Sequence, residues 1–413
     1  MISDSKARVI DGTGKHLFPG IIDAQVHFRE PGLTHKGDLY TESKAAVAGG
    51  VTSFIDMPNT IPNVLTIDIL NEKYRIASKQ SLANFGFFLG VNGDNLDEVI
   101  KLDTAKLLGV SDDGLYFTKK GNLLADNPET MEKLFANCKS IIAIHSEKEQ
   151  IVEENEKIYR EKYGENIPIE FHPLIRSERA CYEATKRAID LANKHKARLH
   201  ILHLSTEAET HLFRNDNPLK EKNITTEVSV PHLWFSEKDY SRLGTLIKCN
   251  PAIKTEKDRL GLFKALMDDR IDIVTTDHAP HSLEEKEKPY FQSMSGMPTV
   301  QHSLNMMLEL YKQGLISLEK IAEKMCHNPA TLYRIEKRGF IREGYFADLT
   351  IVDLHSSWAV CKENILYKCG WSPLEGTTFQ SKVTHTFVNG NLIYESGLFN
   401  EGINGKALTV AEN

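Results

Sequence analysis

The stretch PGIIDAQVHFREPG, residues 19–32, predicts the first strand of the main domain. It opens with a short apolar run and then alternates polar and apolar residues as far as Arg29. Successive side chains of a strand point to opposite faces, so Gln25, His27 and Arg29 fall on one face. Such a pattern is typical of a strand whose carboxyl end opens into a polar site.

Seven more runs of this kind follow along the chain: VTSFIDMPN (51–59), ANFGFFLGV (83–91), LLGVSDD (107–113), SIIAIHSE (140–147), RLHILHLS (198–205), ITTEVSV (224–230) and IDIVTTDHAP (271–280). Between them, stretches such as 38–50 and 178–195 repeat apolar positions at helical spacing and end on Gly or charged residues. Strands that alternate with helices predict an α/β fold, a TIM-type (β/α)8 barrel, over residues 19–336.

After residue 336 the pattern changes to alternating runs punctuated by turns, such as 382–396, which indicate antiparallel strands. Asn389-Gly390 is the dipeptide typical of a two-residue hairpin turn. The opening residues predict one more strand of the same sheet. We therefore expect a small β-sandwich domain built from both chain ends, residues 1–18 and 337–413.

Composition excludes several classes of protein. The 413 residues carry a formal net charge of −7 and are 26% charged and 41% hydrophobic, which gives no sign of a nucleic-acid-binding surface. The first residues lack an apolar signal segment, and no run approaches ~20 apolar residues, so we expect a cytoplasmic protein without a membrane partner. The six cysteines show no CxxC spacing, which argues against a disulfide framework or a thiolate metal site.

The catalytic groups of such a barrel sit at the carboxyl ends of its strands. The predicted strands end in polar side chains: Asp23, Gln25, His27, Arg29, Asp56, Asn59, Asp112, Asp113, His145, His203, Asp277, His278 and His281. One strand-end histidine alone is more often structural, but several at corresponding ends indicate a shared site. Imidazole and carboxylate donors without thiolates suit Zn²⁺ or a similar divalent ion in a hydrolytic site.

The motifs DAQVHFREPG, DMPNT, IAIHSE, LHILHLST, KCNPAIKT and TDHAPH, in this order, resemble the signature set of the dihydroorotases, class I-like members of the amidohydrolases. The resemblance spans nearly the whole barrel. It implies an enzyme that reversibly hydrolyses the cyclic amide of (S)-dihydroorotate to N-carbamoyl-L-aspartate in pyrimidine biosynthesis. It also implies one or two Zn²⁺ ions as cofactor, and it leaves a homodimer open.

The resemblance implies metal ligands at His27, His145, His203 and Asp277. Asp277 is also the implied catalytic proton shuttle. Other dihydroorotases use an aspartate in a similar DDG context to bridge two metals, which makes Asp113 the bridging candidate and Asp112 the alternative. By strand alternation, only one of these two aspartates can easily face the metal.

The resemblance also implies which residues hold the substrate: Arg29, Asn59, Asn250 and His281. A guanidinium offers a bidentate grip on a carboxylate, so Arg29 is suited to an acidic substrate. The alternative for Arg29 is an ion pair with Glu30 or another neighbour.

The sequence departs from the family pattern in three places. Gln25 stands where the family usually has histidine, so this ligand is expected to be weak and one metal weakened or absent. The fourth strand lacks the lysine that many relatives carboxylate, and Lys119 and Lys120, further along, are expected to face solvent. Relatives also carry a longer N-terminal segment. The small domain is therefore expected to be N-terminally incomplete, unless the sequence begins at an internal methionine.

Two other functions compete with this one. An allantoinase or hydantoinase would keep the chemistry and change the substrate, but Arg29, Asn59 and His281 together favour dihydroorotate. A metal-poor homologue that serves as a structural partner of aspartate transcarbamoylase is suggested by Gln25 and the missing lysine. The retained histidines and Asp277 argue against that purely structural role.

Overall fold

A computed structural model describes residues 8–115, 124 and 127–411. Within these residues the strands are β1 His16–Pro19, β2 Ile21–Val26, β3 Val51–Asp56, β4 Asn84–Phe87, β5 Leu89–Gly90, β6 Val110–Ser111, β7 Ile141–Ile144, β8 Arg198–Ile201, β9 Ile224–Ser229, β10 Ile273–Thr275, β11 Leu349–Asp353, β12 Trp358–Ala359, β13 Thr378–Phe379, β14 Lys382–Val388, β15 Asn391–Glu395 and β16 Leu398–Phe399.

The α-helices lie mainly between the strands of the first part of the chain. They are α1 Leu39–Ala48, α2 Ile67–Gln80, α3 Leu96–Val99, α4 Pro128–Asn137, α5 Glu149–Tyr163, α6 His172–Ile175, α7 Glu178–His195, α8 Glu207–Thr210, α9 Val230–Trp234, α10 Tyr240–Leu243, α11 Glu256–Met267, α12 Leu283–Lys286, α13 Ser303–Lys312, α14 Leu318–Ala322 and α15 Asn328–Leu332.

Strands β2 to β10 form the predicted parallel barrel. Pairing runs through β2, β3 and β4, and again from β5 through β10, always between neighbours in the sequence. Only Phe88 separates β4 from β5, so these two form the third barrel strand. The barrel closes where the backbone N–H of His27 donates to the carbonyl of His278 at 2.7 Å. All eight predicted runs therefore supply one barrel strand each.

The helices cover the outside of the barrel, which explains the apolar runs that mark its strands. Every residue of β7, Ile141–Ile144, is buried, as a strand covered on both faces requires. Ser177 caps the N-terminus of helix α7, and its hydroxyl accepts from the N–H of Ala180. It buries small residues at a spacing of four, Ala180, Ala184, Ala188 and Ala192. This spacing places them on one face of the helix.

The small β region is built from both chain ends, as predicted. Its antiparallel sheet has the order β1-β11-β14-β15-β16, and β12 pairs with β13 in a separate ribbon. The predicted hairpin turn joins β14 to β15, with Asn389 at φ 53° and Gly390 at φ 81°. Positive φ at both central residues is the conformation that this dipeptide favours.

Some expectations fall on residues that the structure does not describe. Lys119 and Lys120 lie outside the described residues, as do residues 1–7 of the predicted first strand. Among the residues that are described, no helix has both the length and the apolar character needed to cross a bilayer.

Candidate active site

Two groups of donor atoms, buried except at the partly exposed Asp277, converge at the carboxyl ends of the barrel strands. Asp113, His145 and His203 each place a ligand atom within 4.8 Å of the others, and His27, Asp113 and Asp277 do the same. Asp113 belongs to both groups. Its Oδ1 lies 3.6 Å from His145 Nδ1, and its Oδ2 lies 3.3 Å from His27 Nε2. One carboxylate therefore faces both groups, as a bridging ligand would.

The backbone bends where several of these side chains leave their strands. Arg29 has φ 70°, Asp277 has φ 47° and His203 has φ 32°, all in the left-handed region. Such conformations cost about 1–3 kcal/mol each for residues other than glycine and cluster at functional sites. Strand alternation thus accounts for Gln25 and His27, but a left-handed turn beyond the end of β2 brings Arg29 to the site.

The ring of His27 is oriented for a cation. Its Nδ1 lies 2.7 Å from Asn59 Oδ1, so Nδ1 carries the proton and donates, while Nε2 faces Asp277 Oδ1 at 3.2 Å and Asp113. Burial lowers the pKa of His27, but hydrogen bonds with Asp113 and Asp277 outweigh burial and raise it to about 9. The two carboxylates therefore attract a positive charge at Nε2, either a proton or a metal ion.

His145 and His203 form the second pair of imidazole donors. Nε2 of His145 donates to Glu147 Oε2 at 2.8 Å, and its Nδ1 lies 3.2 Å from His203 Nε2. Burial lowers the pKa of His145, but Asp113 and Glu147 reverse the effect and raise it to about 10. Arg176 pairs with the same Glu147 carboxylate. Metal-binding histidines commonly donate their second N–H to a carboxylate, and Glu147 fills that place.

Sequence reasoning missed Glu147, although a signal was present. Glu147 is two residues beyond His145 in IAIHSE, so alternation would place both on one face if the strand continued. The interaction of Glu147 with Arg176, 29 residues away, depends on the fold.

Gln25 contacts the shared carboxylate through its N–H. Its Nε2 donates to Asp113 Oδ2 at 3.0 Å. Its Oε1 is buried and has no hydrogen-bond partner in the described part of the chain. In this arrangement the Gln25 amide positions the Asp113 carboxylate by donating to it, and the amide nitrogen, not the oxygen, faces this carboxylate.

Asp112 and Asp113 point in different directions. The carboxylate of Asp112 accepts from the backbone N–H groups of Leu124 at 2.7 Å and His145 at 3.0 Å. Burial raises the pKa of Asp112 to about 7, against the opposing effect of these hydrogen bonds. The structure therefore brings Asp113, and not Asp112, into the two donor groups.

Other polar strand ends support the barrel instead of facing the cleft. Asp23 accepts from both the N–H and the hydroxyl of Thr276. Two further contacts of this kind are the ion pair of Asp56 with Lys73 and the hydrogen bond between His278 and Glu42.

A narrow cleft opens at the donor groups. Its lining contains six of the predicted site residues together with Ala279, Ser295 and Gly296; the six are His27, Arg29, Asn59, Asp113, Asn250 and Asp277. Gly296 has φ 131°, and a Cβ there would lie 2.6 Å from the carbonyl oxygen of Ala279, so only glycine fits. No sequence pattern marked this segment, because a long loop brings it to the cleft.

A cationic cluster borders the same cleft. Arg29 is 5% exposed, and its Nε donates to the carbonyl of Pro280 at 3.1 Å. Its Nη2 lies 3.1 Å from His281 Nε2, and Lys36 Nζ lies 3.1 Å from His281 Nδ1. Among the described residues no carboxylate lies within ion-pair distance of Arg29, and the Glu30 carboxylate accepts from Leu39 and Gln80 instead. Lys36 was not singled out from the sequence.

The barrel and its cleft define the amidohydrolase class. The pattern of the amidohydrolase family matches residues 16–393. The dihydroorotase of Pyrococcus abyssi is 33% identical over 396 residues, which cover 95% of this chain and 86% of the relative. The dihydroorotase of Methanosarcina acetivorans is 32% identical, with 90% and 80% covered. The chain therefore belongs to the amidohydrolase family, in its dihydroorotase branch.

Solved structures agree on the fold. The L-hydantoinase (dihydropyrimidinase) from Arthrobacter aurescens superposes with a TM-score of 0.89 at 26% identity, covering 99% of this chain and 92% of that one. The dihydropyrimidinase from Brevibacillus agri gives 0.87 at 21% identity, with 100% and 93% covered, and supports the barrel fold alone.

Proposed function

We propose that this chain is a dihydroorotase that reversibly hydrolyses the cyclic amide of (S)-dihydroorotate to N-carbamoyl-L-aspartate. The observation that carries the proposal is the buried Arg29, which lines the cleft beside the donor groups and has no carboxylate partner among the described residues. Asp56, Asp277 and Glu285 attract the Arg29 guanidinium from beyond ion-pair distance, so a substrate carboxylate could still bind it directly. The dihydroorotases among its relatives support the same reaction.

The donor set fits a divalent ion, and we propose zinc. Imidazole nitrogens and carboxylate oxygens are ligands that Zn²⁺ accepts, and His27 and His145 already turn a ring nitrogen toward Asp113. Such an ion, when bound, polarises a carbonyl group and supplies hydroxide near neutral pH. His27, Asp113 and Asp277 would hold one ion, and Asp113, His145 and His203 would hold another.

Asp277 is the proposed proton carrier. Its carboxylate lines the cleft, with Oδ1 3.2 Å from His27 Nε2. A carboxylate in this place accepts a proton from the attacking water and returns it to the ring nitrogen as the C–N bond breaks. The reverse reaction uses the same group in the opposite sense.

Arg29, Asn59 and Asn250 are proposed to bind the substrate directly, and His281 is proposed to act on the same carboxylate through its contact with Arg29. Asn250 Oδ1 is buried and lacks a hydrogen-bond partner among the described residues. A ring N–H is the kind of donor that would satisfy it. Asn59 already accepts from His27, which links the substrate-binding residues to the donor groups.

The alternative functions are less well supported. A simple hydantoin carries no carboxylate for Arg29, so the likeness to hydantoinases is best explained by the shared fold. A structural partner of aspartate transcarbamoylase would not need two convergent donor groups beside an unpaired guanidinium. The cytoplasmic location, the place in pyrimidine synthesis, the homodimer, and the division into residues 1–18, 19–336 and 337–413 remain predictions.

Turnover by chelated and metal-reloaded protein tests the proposal. We expect the chelated protein to be inactive toward both dihydroorotate and N-carbamoyl-aspartate, and reloading with Zn²⁺ to restore both directions. Reloaded protein that carries metal but turns over neither compound would refute the proposed function. Full activity at undetectable metal would refute the metal assignment alone.

A further inference from the structure

Lys36 is a buried cation in the loop between β2 and α1. It is 5% exposed, and its Nζ lies 2.9 Å from Glu285 Oε1 and 3.1 Å from His281 Nδ1. Burial of a lysine ammonium is costly and needs compensation. Glu285 supplies a counter-charge, but the contact with His281 has a separate consequence.

The ammonium of Lys36 fixes the tautomer of His281. A lysine ammonium can only donate, so His281 Nδ1 must be the acceptor, and the ring proton then sits on Nε2. That N–H has an acceptor in place, the carbonyl of Ser295 at 3.0 Å. Glu285 Oε2 is 3.7 Å from Nδ1, too far to accept a proton from it. Burial, followed by the charge of Arg29, lowers the pKa of His281, which favours the neutral ring.

The tautomer decides whether Nη2 of Arg29 bonds to His281. Arg29 Nη2 is 3.1 Å from His281 Nε2, but both groups are donors in this tautomer, so they form no hydrogen bond. Arg29 is otherwise tied through its Nε to Pro280. With the opposite tautomer, His281 Nε2 would accept from Nη2 and occupy a donor that an anion could use.

We propose that Lys36 is a specificity-determining positioning residue, which fixes His281 as the Nε2–H tautomer and so leaves the Nη groups of Arg29 to a substrate carboxylate. The inference rests on the proposed function, because it assigns a carboxylated cyclic amide to the cleft. It adds to that function a residue that acts on substrate choice and not on the bond that breaks.

The tautomer is measured directly by ¹⁵N NMR of protein labelled at histidine, with the His281 signals assigned by their loss in His281→Asn. We expect Nδ1 without a proton and Nε2 protonated in the wild-type protein, and a shift toward the opposite tautomer in Lys36→Met. A wild-type His281 protonated at Nδ1 would overturn the proposal. This measurement needs no substrate to react, and its decisive result is read from the wild-type protein.

Kinetics separate positioning from simple structural support. Lys36→Met should raise KM for dihydroorotate about 10- to 100-fold, the range of one charge-assisted hydrogen bond, with kcat within about threefold. The slow rate on dihydrouracil, which lacks the carboxylate, should change much less. The control is Lys186→Met, which removes an exposed lysine of α7 that pairs with Asp190, and its KM should stay close to that of the wild type.

The outcomes distinguish the two proposals. Equal loss on both substrates in Lys36→Met, an unchanged KM for dihydroorotate in that variant, or the same KM increase in Lys186→Met would each overturn the role of Lys36. Wild-type protein that hydrolyses no dihydroorotate would instead overturn the proposed function, and with it the substrate named here.

Discussion

Two regions of the cleft differ in charge and in the kind of partner they need. The donor region combines three imidazoles with two carboxylates: His27, Asp113, His145, His203 and Asp277. The anchor region combines two buried cations and a histidine with a single carboxylate: Arg29, Lys36, His281 and Glu285. The first suits a cation and the second an anion. We infer that the donor region acts on the amide that breaks and the anchor region selects the substrate.

The largest expected effect is that of Asp277→Asn in the donor region. An amide can occupy the same space but cannot carry the proton, so turnover should fall about 10⁴-fold on every substrate. Rates on dihydroorotate and dihydrouracil, with thermal unfolding as a check on the fold, test this. Asp190→Asn, on the exposed face of α7, serves as the control. A near-wild-type rate in Asp277→Asn would remove this residue from the mechanism.

Loss of an imidazole from the donor region should release metal. His145→Ala or His203→Ala each removes a ligand from the group that Asp113 completes, so elemental analysis should find less metal per chain. The exposed His355 provides the control substitution His355→Ala, which should keep the full metal content. Full stoichiometric metal in both histidine variants would contradict the assignment of these ligands.

A smaller effect is expected for Glu147→Gln. The variant keeps an oxygen near His145 Nε2 but loses the charge that orients the ring, so metal affinity should fall about 10- to 100-fold. Competition with a chelator of known affinity measures this change. Affinity equal to that of the wild type would mean that the charge of Glu147 does not hold the ring of His145.

The smallest effect is expected for Gln25→His. The Gln25 amide donates to Asp113, whereas an imidazole at this position can bind a metal ion. The more weakly bound of the two ions should therefore bind more tightly in this variant. We expect turnover to change by no more than about threefold, since the remaining ligands are kept. Metal titration followed by calorimetry measures the affinity, and a loss of metal on this substitution would show that Gln25 contributes more than a histidine can.

The barrel was predictable because its strands are short apolar runs with polar ends. This pattern is local in the sequence, and the same apolar residues are buried in the folded barrel. The hairpin at Asn389-Gly390 was predictable for a similar reason, since its turn depends on those two residues. Lys36 and Gly296 were not, because a loop brings Lys36 to His281 and another brings Gly296 to the cleft, and the paths of both loops depend on the finished fold. Arg29 was identified from its motif, but its left-handed turn was not foreseen.

Substrate choice by the metal-loaded, unmutated protein tests whether the anchor region selects a carboxylate. If the anchor region selects a carboxylate, kcat/KM for dihydroorotate should exceed that for dihydrouracil by about 10⁴-fold, because an uncharged ring leaves the buried Arg29 unpaired. Arg29→Met should remove most of that ratio by lowering the value for dihydroorotate steeply and the value for dihydrouracil much less. Efficient hydrolysis of dihydrouracil or allantoin by the unmutated protein would contradict the account.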